Sequence, residues 1–397
     1  MINHSVGTKV QNDAWKYLPS YNAVQINMDT PTANVPTPNV IYDYPKAEGQ
    51  LYYPVIKPTM AGKISRTPSG VGDYENYLEY DKFGQQVASV TYEKDGDALV
   101  QKIKTKSPDG TTLEKTLINS PNFKNSNIVI ADKDGNILLS KQKSVTKLDN
   151  DREQTVVNGE VYNVSGMQGD VLTVEHNGVI ATLDLNKMLN SDVKLLKQRT
   201  SSENLPIRDT KITNEEKEKL FNRIKSLSGD DLFRLSQSVE HLQYLDEKSI
   251  EAFFVESGKT LLLSPKDWEN SHMITSHELG HAIYNQKIRT NKLDESGFKN
   301  IRNYEKQNFE QHTNNTRGEE LLGSKFLFGN PDMNWADAEE VEDDDQYLRD
   351  ETFAESYNNL NTMDIIHYDN EVMPLRTLAM FRYLPRTMAE VEKLAQV

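Results

Sequence analysis

The sequence contains no cysteine. Disulfides, thiol nucleophiles and cysteine-built zinc knuckles are excluded at the outset. It also lacks any uninterrupted apolar run long enough to cross a bilayer, so no membrane-spanning helix is expected. Histidine is scarce, at 8 in 397 residues, and hydrophobic residues make up 36%, with a mean hydropathy of −0.69. A chain of this length holds two or three domains, and one this polar devotes some of its length to loops, linkers or thin β layers. Basic charge is the minority sign: 45 Lys and Arg against 60 Asp and Glu leave a net charge of −15. Nucleic acid is excluded as a partner on that balance, because phosphate backbones are bound by clustered cations. Neither a G-x-x-x-x-G-K loop nor a G-x-G-x-x-G turn after a strand is present, so nothing supports nucleotide binding. The opening residues show no basic segment followed by an apolar run and a cleavage site, so no ordinary signal peptide is read. A thiol-free chain suits an exported protein and a cytosolic one alike; a secreted or host-delivered protein is favoured over a cytoplasmic one, and the compartment itself stays open.

Four segments differ in periodicity. Residues 1–74 read as an extended, Pro-rich arm, since proline at that density favours polyproline II and forbids a central strand. Such an arm serves as a linker or delivery segment, or lies in the active cleft as a self-inhibitor. Residues 75–189 alternate apolar and polar side chains in about eight runs, from "QVASVTY" to "VIATLDL". The pairs Asp95-Gly96, Asp109-Gly110, Asp134-Gly135, Asn158-Gly159 and Asn177-Gly178 separate several of those runs and suit tight hairpins. This is an antiparallel β module that targets, tethers or presents, and His176 beside its last turn reads as solvated. Residues 190–211 form a polar linker. From 212 the period becomes helical: Thr213 and Glu216 make a capping box, and Leu220, Phe221, Ile224 and Leu227 share a face. Ser228-Gly229-Asp230 breaks that helix, and a second follows with Leu232, Leu235, Val239 and Leu242 inward. His241 falls off that stripe, at the surface or the helix end. The expected class is α+β, with a mainly helical zincin-like catalytic domain carrying a small sheet (212–397) behind the all-β meander.

The chemistry concentrates at "TSHELGHAIYN". Two strand-like runs, "SIEAFFVES" and "KTLLLSP", precede a helix that presents His277 and His281 one turn apart on one face, able to share one metal ion. Glu278 stands beside the first histidine, where it can polarise a water and act as general base. Gly280 costs about 1 kcal/mol relative to alanine inside a helix, which points to close packing near the metal. The strand at 259–264 is expected to pair with an extended substrate backbone. A third ligand must be His, Asp or Glu, and Lys287 occupies the position six residues after His281, so a third histidine there is ruled out. Downstream, "YLRDETFAESYNNLNTMD" puts Glu351 and Glu355 on one helix face beside Phe353 and Ala354. The first carboxylate is placed to bind metal and the second to accept an N–H from a ligating histidine. Spacing alone leaves their order open. The acidic run Glu339–Asp345 lacks the glycine and oxygen spacing of a calcium loop and reads as solvated.

HELGHAIYN together with ETFAESY resembles the gluzincin metallopeptidase family of the anthrax lethal factor and the clostridial Pro-Pro endopeptidases. The closing "FRYLPRTMAEVEKLAQ" is similar to that family's final turn and helix. The resemblance covers about residues 212–397. It implies zinc peptidase activity, with His277, His281 and Glu351 as ligands and Glu278 as base. The stretch from His281 to Glu351 is longer than the family's. The family's oxyanion-stabilising tyrosine has no counterpart at the matching position, which is Asp344; Tyr347 is the nearest candidate for that catalytic role, with a packing or surface role as its alternative. The expected function is a zinc-dependent endopeptidase acting on an extended protein or peptide, with Zn2+ as cofactor. The rival is a non-catalytic binding or adhesion protein whose β module carries the function and whose zinc site is structural or degenerate.

Overall fold

The computed structural model describes residues 63–81, 83–189, 213–244, 252–255, 259–263, 271–289, 295–312, 346–365 and 372–396. The arm up to residue 62, the linker and the acidic run Glu339–Asp345 lie outside the described residues.

Eleven strands form one antiparallel sheet in which each strand pairs with its predecessor in sequence. They are β1 (Lys63–Pro68), β2 (Glu75–Tyr80), β3 (Gln86–Asp95), β4 (Ala98–Lys106), β5 (Thr112–Ser120) and β6 (Phe123–Ala131). After these come β7 (Ile137–Leu148), β8 (Arg152–Val157), β9 (Glu160–Ser165), β10 (Val171–His176) and β11 (Val179–Asp184). The expectation of about eight strands beginning at 75 is thus short by three. Strand β1 begins at Lys63 and ends on Pro68, tolerated because β1 has a partner on one side only among the described strands. Two turns carry no Xaa-Gly signal: Ser120 pairs with Phe123 across Pro121-Asn122, and Asn150 and Asp151 supply positive φ between β7 and β8. Strand β8 hides its period because Glu153 and Thr155 are buried on the same face as Val157.

The chain then turns helical: α1 (Leu185–Leu189), α2 (Asn214–Lys225) and α3 (Gly229–Ser238). Both halves of the Thr213/Glu216 capping box are formed, and Leu220, Phe221, Ile224 and Leu227 are all buried. The second helix stops earlier than expected. Val239 is already extended, and His241–Tyr244 is strand β12, so Leu242 is buried in a sheet and His241 opens a strand. A period of three or four residues over so short a run fits a helix end and a buried strand alike. Strands β13 (Ala252–Val255) and β14 (Thr260–Leu263) complete a small sheet of order β12-β14-β13, with β12 parallel and β13 antiparallel to β14. The expected substrate strand, β14, is therefore its central strand, paired on both sides. Five more helices follow: α4 (Ser271–Arg289), α5 (Glu295–His312), α6 (Gln346–Asn361), α7 (Val372–Tyr383) and α8 (Pro385–Gln396). The class is α+β, with eleven meander strands and eight helices among the described residues.

Sheet and helices share their interior. One contiguous hydrophobic cluster runs from Tyr77, Val90 and Ile128 on the large sheet to Leu232, Leu279, Phe353 and Met388 on the helices. At Gly229 the first turn of α3 sits so close to β8 and β9 that an added Cβ would lie 2.9 Å from Val164 and 3.1 Å from Tyr162. His176 is not solvated; its ring stacks on Tyr162 at 4.0 Å.

Candidate metal centre

Helices α4 and α6 build the site, and their crossing point explains how. Leu279, Ala282 and Ile283 bury one side of α4, while Phe353, Ala354 and Tyr357 bury α6. Where they cross, a Cβ on Gly280 would lie 2.6 Å from the Cα of Ala354. The two backbones therefore touch, which only a residue without a side chain permits. That contact brings His277 and His281 on α4 against Asp350, Glu351 and Glu355 on α6.

The two imidazoles face each other, with Nε2 to Nε2 at 3.1 Å. Glu351 completes a triangle: Oε2 lies 3.5 Å from His277 Nε2, and Oε1 lies 3.6 Å from His281 Nε2. Atoms bound tetrahedrally to one zinc at its usual bond lengths stand roughly 3.3–3.6 Å apart. The far side of each ring meets a carboxylate. His277 Nδ1 is 2.8 Å from Glu355 Oε2, and His281 Nδ1 is 2.9 Å from Asp350 Oδ1. His277 Nδ1 is hydrogen-bonded to Glu355 and His281 Nδ1 stands at ion-pair distance from Asp350, which turns the Nε2 of each ring into the shared gap. Two lone pairs at that distance repel unless a cation lies between them.

The surrounding carboxylates favour the protonated form of each ring. Burial opposes charge on His277, but its bonds to Glu351 and Glu355 outweigh burial and hold its pKa well above the ordinary value. Burial likewise opposes charge on His281, and Asp350 with Glu351 overcomes it, raising the pKa to about 9. Carboxylates that attract a proton into the gap attract a dication more strongly. His277, Glu278 and His281 offer ligand-type atoms that all lie within 4.8 Å of one another, a group able to hold a metal ion. The site fits the ion that the motif implies.

Glu278 is also buried, and burial pushes its carboxyl pKa up. One of its oxygens accepts the Phe254 N–H of β13, while Oε2 has no partner among the described residues. A carboxylate oxygen left bare in a buried site is costly unless a ligand or water completes it. Its position beside the histidine pair makes it available to take a proton from a water there.

No family model, curated protein or solved structure matches this chain. The likeness to gluzincins therefore rests on the motif residues of the sequence alone. Of the residues singled out from sequence, His277, Glu278, His281, Glu351 and Glu355 are brought together. Tyr347 lies in the first turn of α6, one turn before Glu351, and its side chain is outside the described part. Asp350 was not anticipated. Its signal was present in "RDET": on a helix it precedes Glu351 by one residue, which turns it to the flank of the ligand face, level with the second histidine.

Proposed function

We propose that the chain is a zinc-dependent endopeptidase. The observation that carries this reading is the pair of Nε2 atoms at 3.1 Å, both backed by carboxylates and closed by Glu351, with the bare Glu278 oxygen alongside. His277, His281 and Glu351 would hold the metal; two nitrogens and one carboxylate suit zinc and leave a fourth position open. Zinc bound there supplies Lewis-acid polarisation of a water and of the scissile carbonyl. Glu278 takes the proton from that water at Oε2 and hands it to the departing amine. Glu355 and Asp350 hold the imidazoles in the tautomer that exposes Nε2.

The substrate meets the small sheet at β13. That strand has β14 on one side only among the described strands, and its Phe254 N–H already points at Glu278. An extended peptide paired along β13 would pass directly over the base. Incubation with a broad peptide library, read by mass spectrometry, tests the reading. Wild type is expected to cleave, and Glu278→Gln to cleave at least a hundredfold more slowly while still holding its metal. Full activity in Glu278→Gln would remove Glu278 as the base. A wild type that binds metal yet cleaves nothing favours a binding protein with a structural metal.

A further inference from the structure

The large sheet buries three lysines on the face that meets the helices: Lys115 on β5, and Lys141 and Lys143 on β7. Cross-strand register places Lys115 and Lys141 in one row, joined through Ile128. All three reach the C-terminal end of α6 or groups bonded to it. Lys115 Nζ donates to the carbonyls of Asn359 and Thr362, both at 2.8 Å. Lys141 donates to Asn361 Oδ1 at 2.8 Å and to Glu392 of α8 at 2.6 Å. Lys143 bridges Asp230 at 2.9 Å and Asp231 at 3.1 Å on α3. Asp231 in turn accepts the Tyr357 hydroxyl of α6, which also receives Arg234 Nη1 at 2.8 Å.

All the charges but that of Lys115 balance within this cluster, and burial lowers the Lys115 pKa to about 7. Lys141, Lys143 and Arg234 are matched by Asp230, Asp231 and Glu392. Burying that many ions is not the most stabilising choice, because a well-packed apolar face of the same volume does as well or better. A hydrophobic face, however, lets a helix slide or roll. Fixed donors at the end of α6 do not, since carbonyls and hydroxyls meet them at one axial height and one rotation only. Lys115 also sits where the helix dipole is negative, which favours a cation at that end.

The helix is therefore held at three levels. Donors from the sheet and α3 grip Tyr357 to Thr362, the Gly280 contact pins Ala354, and Asp350, Glu351 and Glu355 meet the histidines. A slip of one residue moves the carboxylates by about 1.5 Å, enough to open the ligand triangle. We infer that the large sheet is a positioning platform for the metal centre: Lys115, and Lys143 acting through Asp231 and Tyr357, set the height and rotation of α6 and thereby place Glu351 against His277 and His281. This inference rests on the metal reading of the site.

Three variants in the full-length chain test it. Tyr357→Phe removes one hydroxyl from the grip, and Lys115→Met removes the double carbonyl clamp. Thr105→Val serves as control, cutting the sheet's 2.9 Å bond to the Phe381 carbonyl of α7 without touching α6. Zinc affinity is measured by chelator competition, geometry by the visible spectrum of the cobalt(II)-loaded chain, and metal-free helix order by amide hydrogen exchange. Tyr357→Phe and Lys115→Met are expected to weaken zinc about tenfold, the lower range for a displaced supporting group. Both should alter the cobalt band and speed exchange at Asp350–Glu355. Thr105→Val should lower thermal stability and leave all three readouts at wild-type values. Wild-type affinity, spectrum and exchange in both α6 variants overturn the inference, whatever their melting temperatures. If Lys115→Met does not fold, Tyr357→Phe decides alone. A wild type that takes up no zinc overturns the metal reading instead, and exchange at Asp350–Glu355 in the metal-free chain still decides the positioning role.

Discussion

At Gly280 a methyl group would land 2.6 Å from the Cα of Ala354 and 3.0 Å from its carbonyl oxygen, so the helix crossing depends on an absent side chain. Gly280→Ala improves helix propensity by about 1 kcal/mol, against about 1–3 kcal/mol for overpacking a filled contact. Overpacking wins, and the helices relieve it by separating. The expected result is a lower melting temperature with helical circular dichroism retained, and a more than tenfold loss of zinc affinity as Glu351 withdraws. Asp350 and Glu355 act one bond further out. Their truncation to alanine is expected to weaken zinc by about 10–100-fold each, read by competition with a chromophoric chelator. Wild-type affinity in both would remove the carboxylates from the site. At this scale the sequence was informative for which residues come together, because HELGH and ETFAE are local patterns that a helix turns into faces. For Asp350 it offered only its place beside Glu351 in "RDET", and the pairing with His281 appears once α6 is set against α4.

Among the elements, the last helix shows how a terminus is held from a distance. Glu305 of α5 accepts the backbone N–H groups of Arg386 at 2.7 Å and Thr387 at 2.9 Å, satisfying donors that the first turn of α8 leaves open. Arg386 in turn bonds Asp109, in the β4–β5 hairpin, at 2.9 Å. Burial raises the Asp109 pKa, yet bonds from Ser107, Thr111 and Arg386 dominate and lower it to about 2 from 3.8. A carboxyl whose pKa is depressed in the folded state contributes stability above its unfolded pKa and loses it as pH falls through the folded one. Acid titration of folding should therefore show an increment lost between about pH 4 and pH 2 that Asp109→Asn lacks; identical acid profiles would show that the hairpin bond contributes nothing. The sequence offered the turn at Asp109-Gly110, a local signal, and the final helix near Pro385 through the resemblance of its closing segment. It did not offer their junction, because Glu305 and Asp109 lie far from α8 along the chain. The same limit explains β14, which reads as a strand but whose place between β12 and β13 follows from topology alone.

For the whole molecule, the β meander and the helices behave as one folded body rather than as a catalytic unit with an appendage. Their hydrophobic residues form a continuous cluster, and Lys115, Lys141 and Lys143 carry the sheet's hydrogen bonds into the helical part. A single cooperative heat-capacity peak is expected in calorimetry, with sheet and helix signals melting together; two separate transitions would contradict the shared core. The lysines were visible in the sequence as cations interrupting the apolar series Leu113–Leu117 and following Leu139 at the same period. Lysine in a strand ordinarily marks a solvated edge, and their burial depends on acceptors from three distant helices. No described helix is long and apolar enough to cross a membrane. Metal analysis of the purified chain tests the central claim most directly. The account predicts one zinc per chain in wild type and in Glu278→Gln, and loss of that zinc in His277→Ala and Glu351→Ala; full zinc retention in His277→Ala would contradict it.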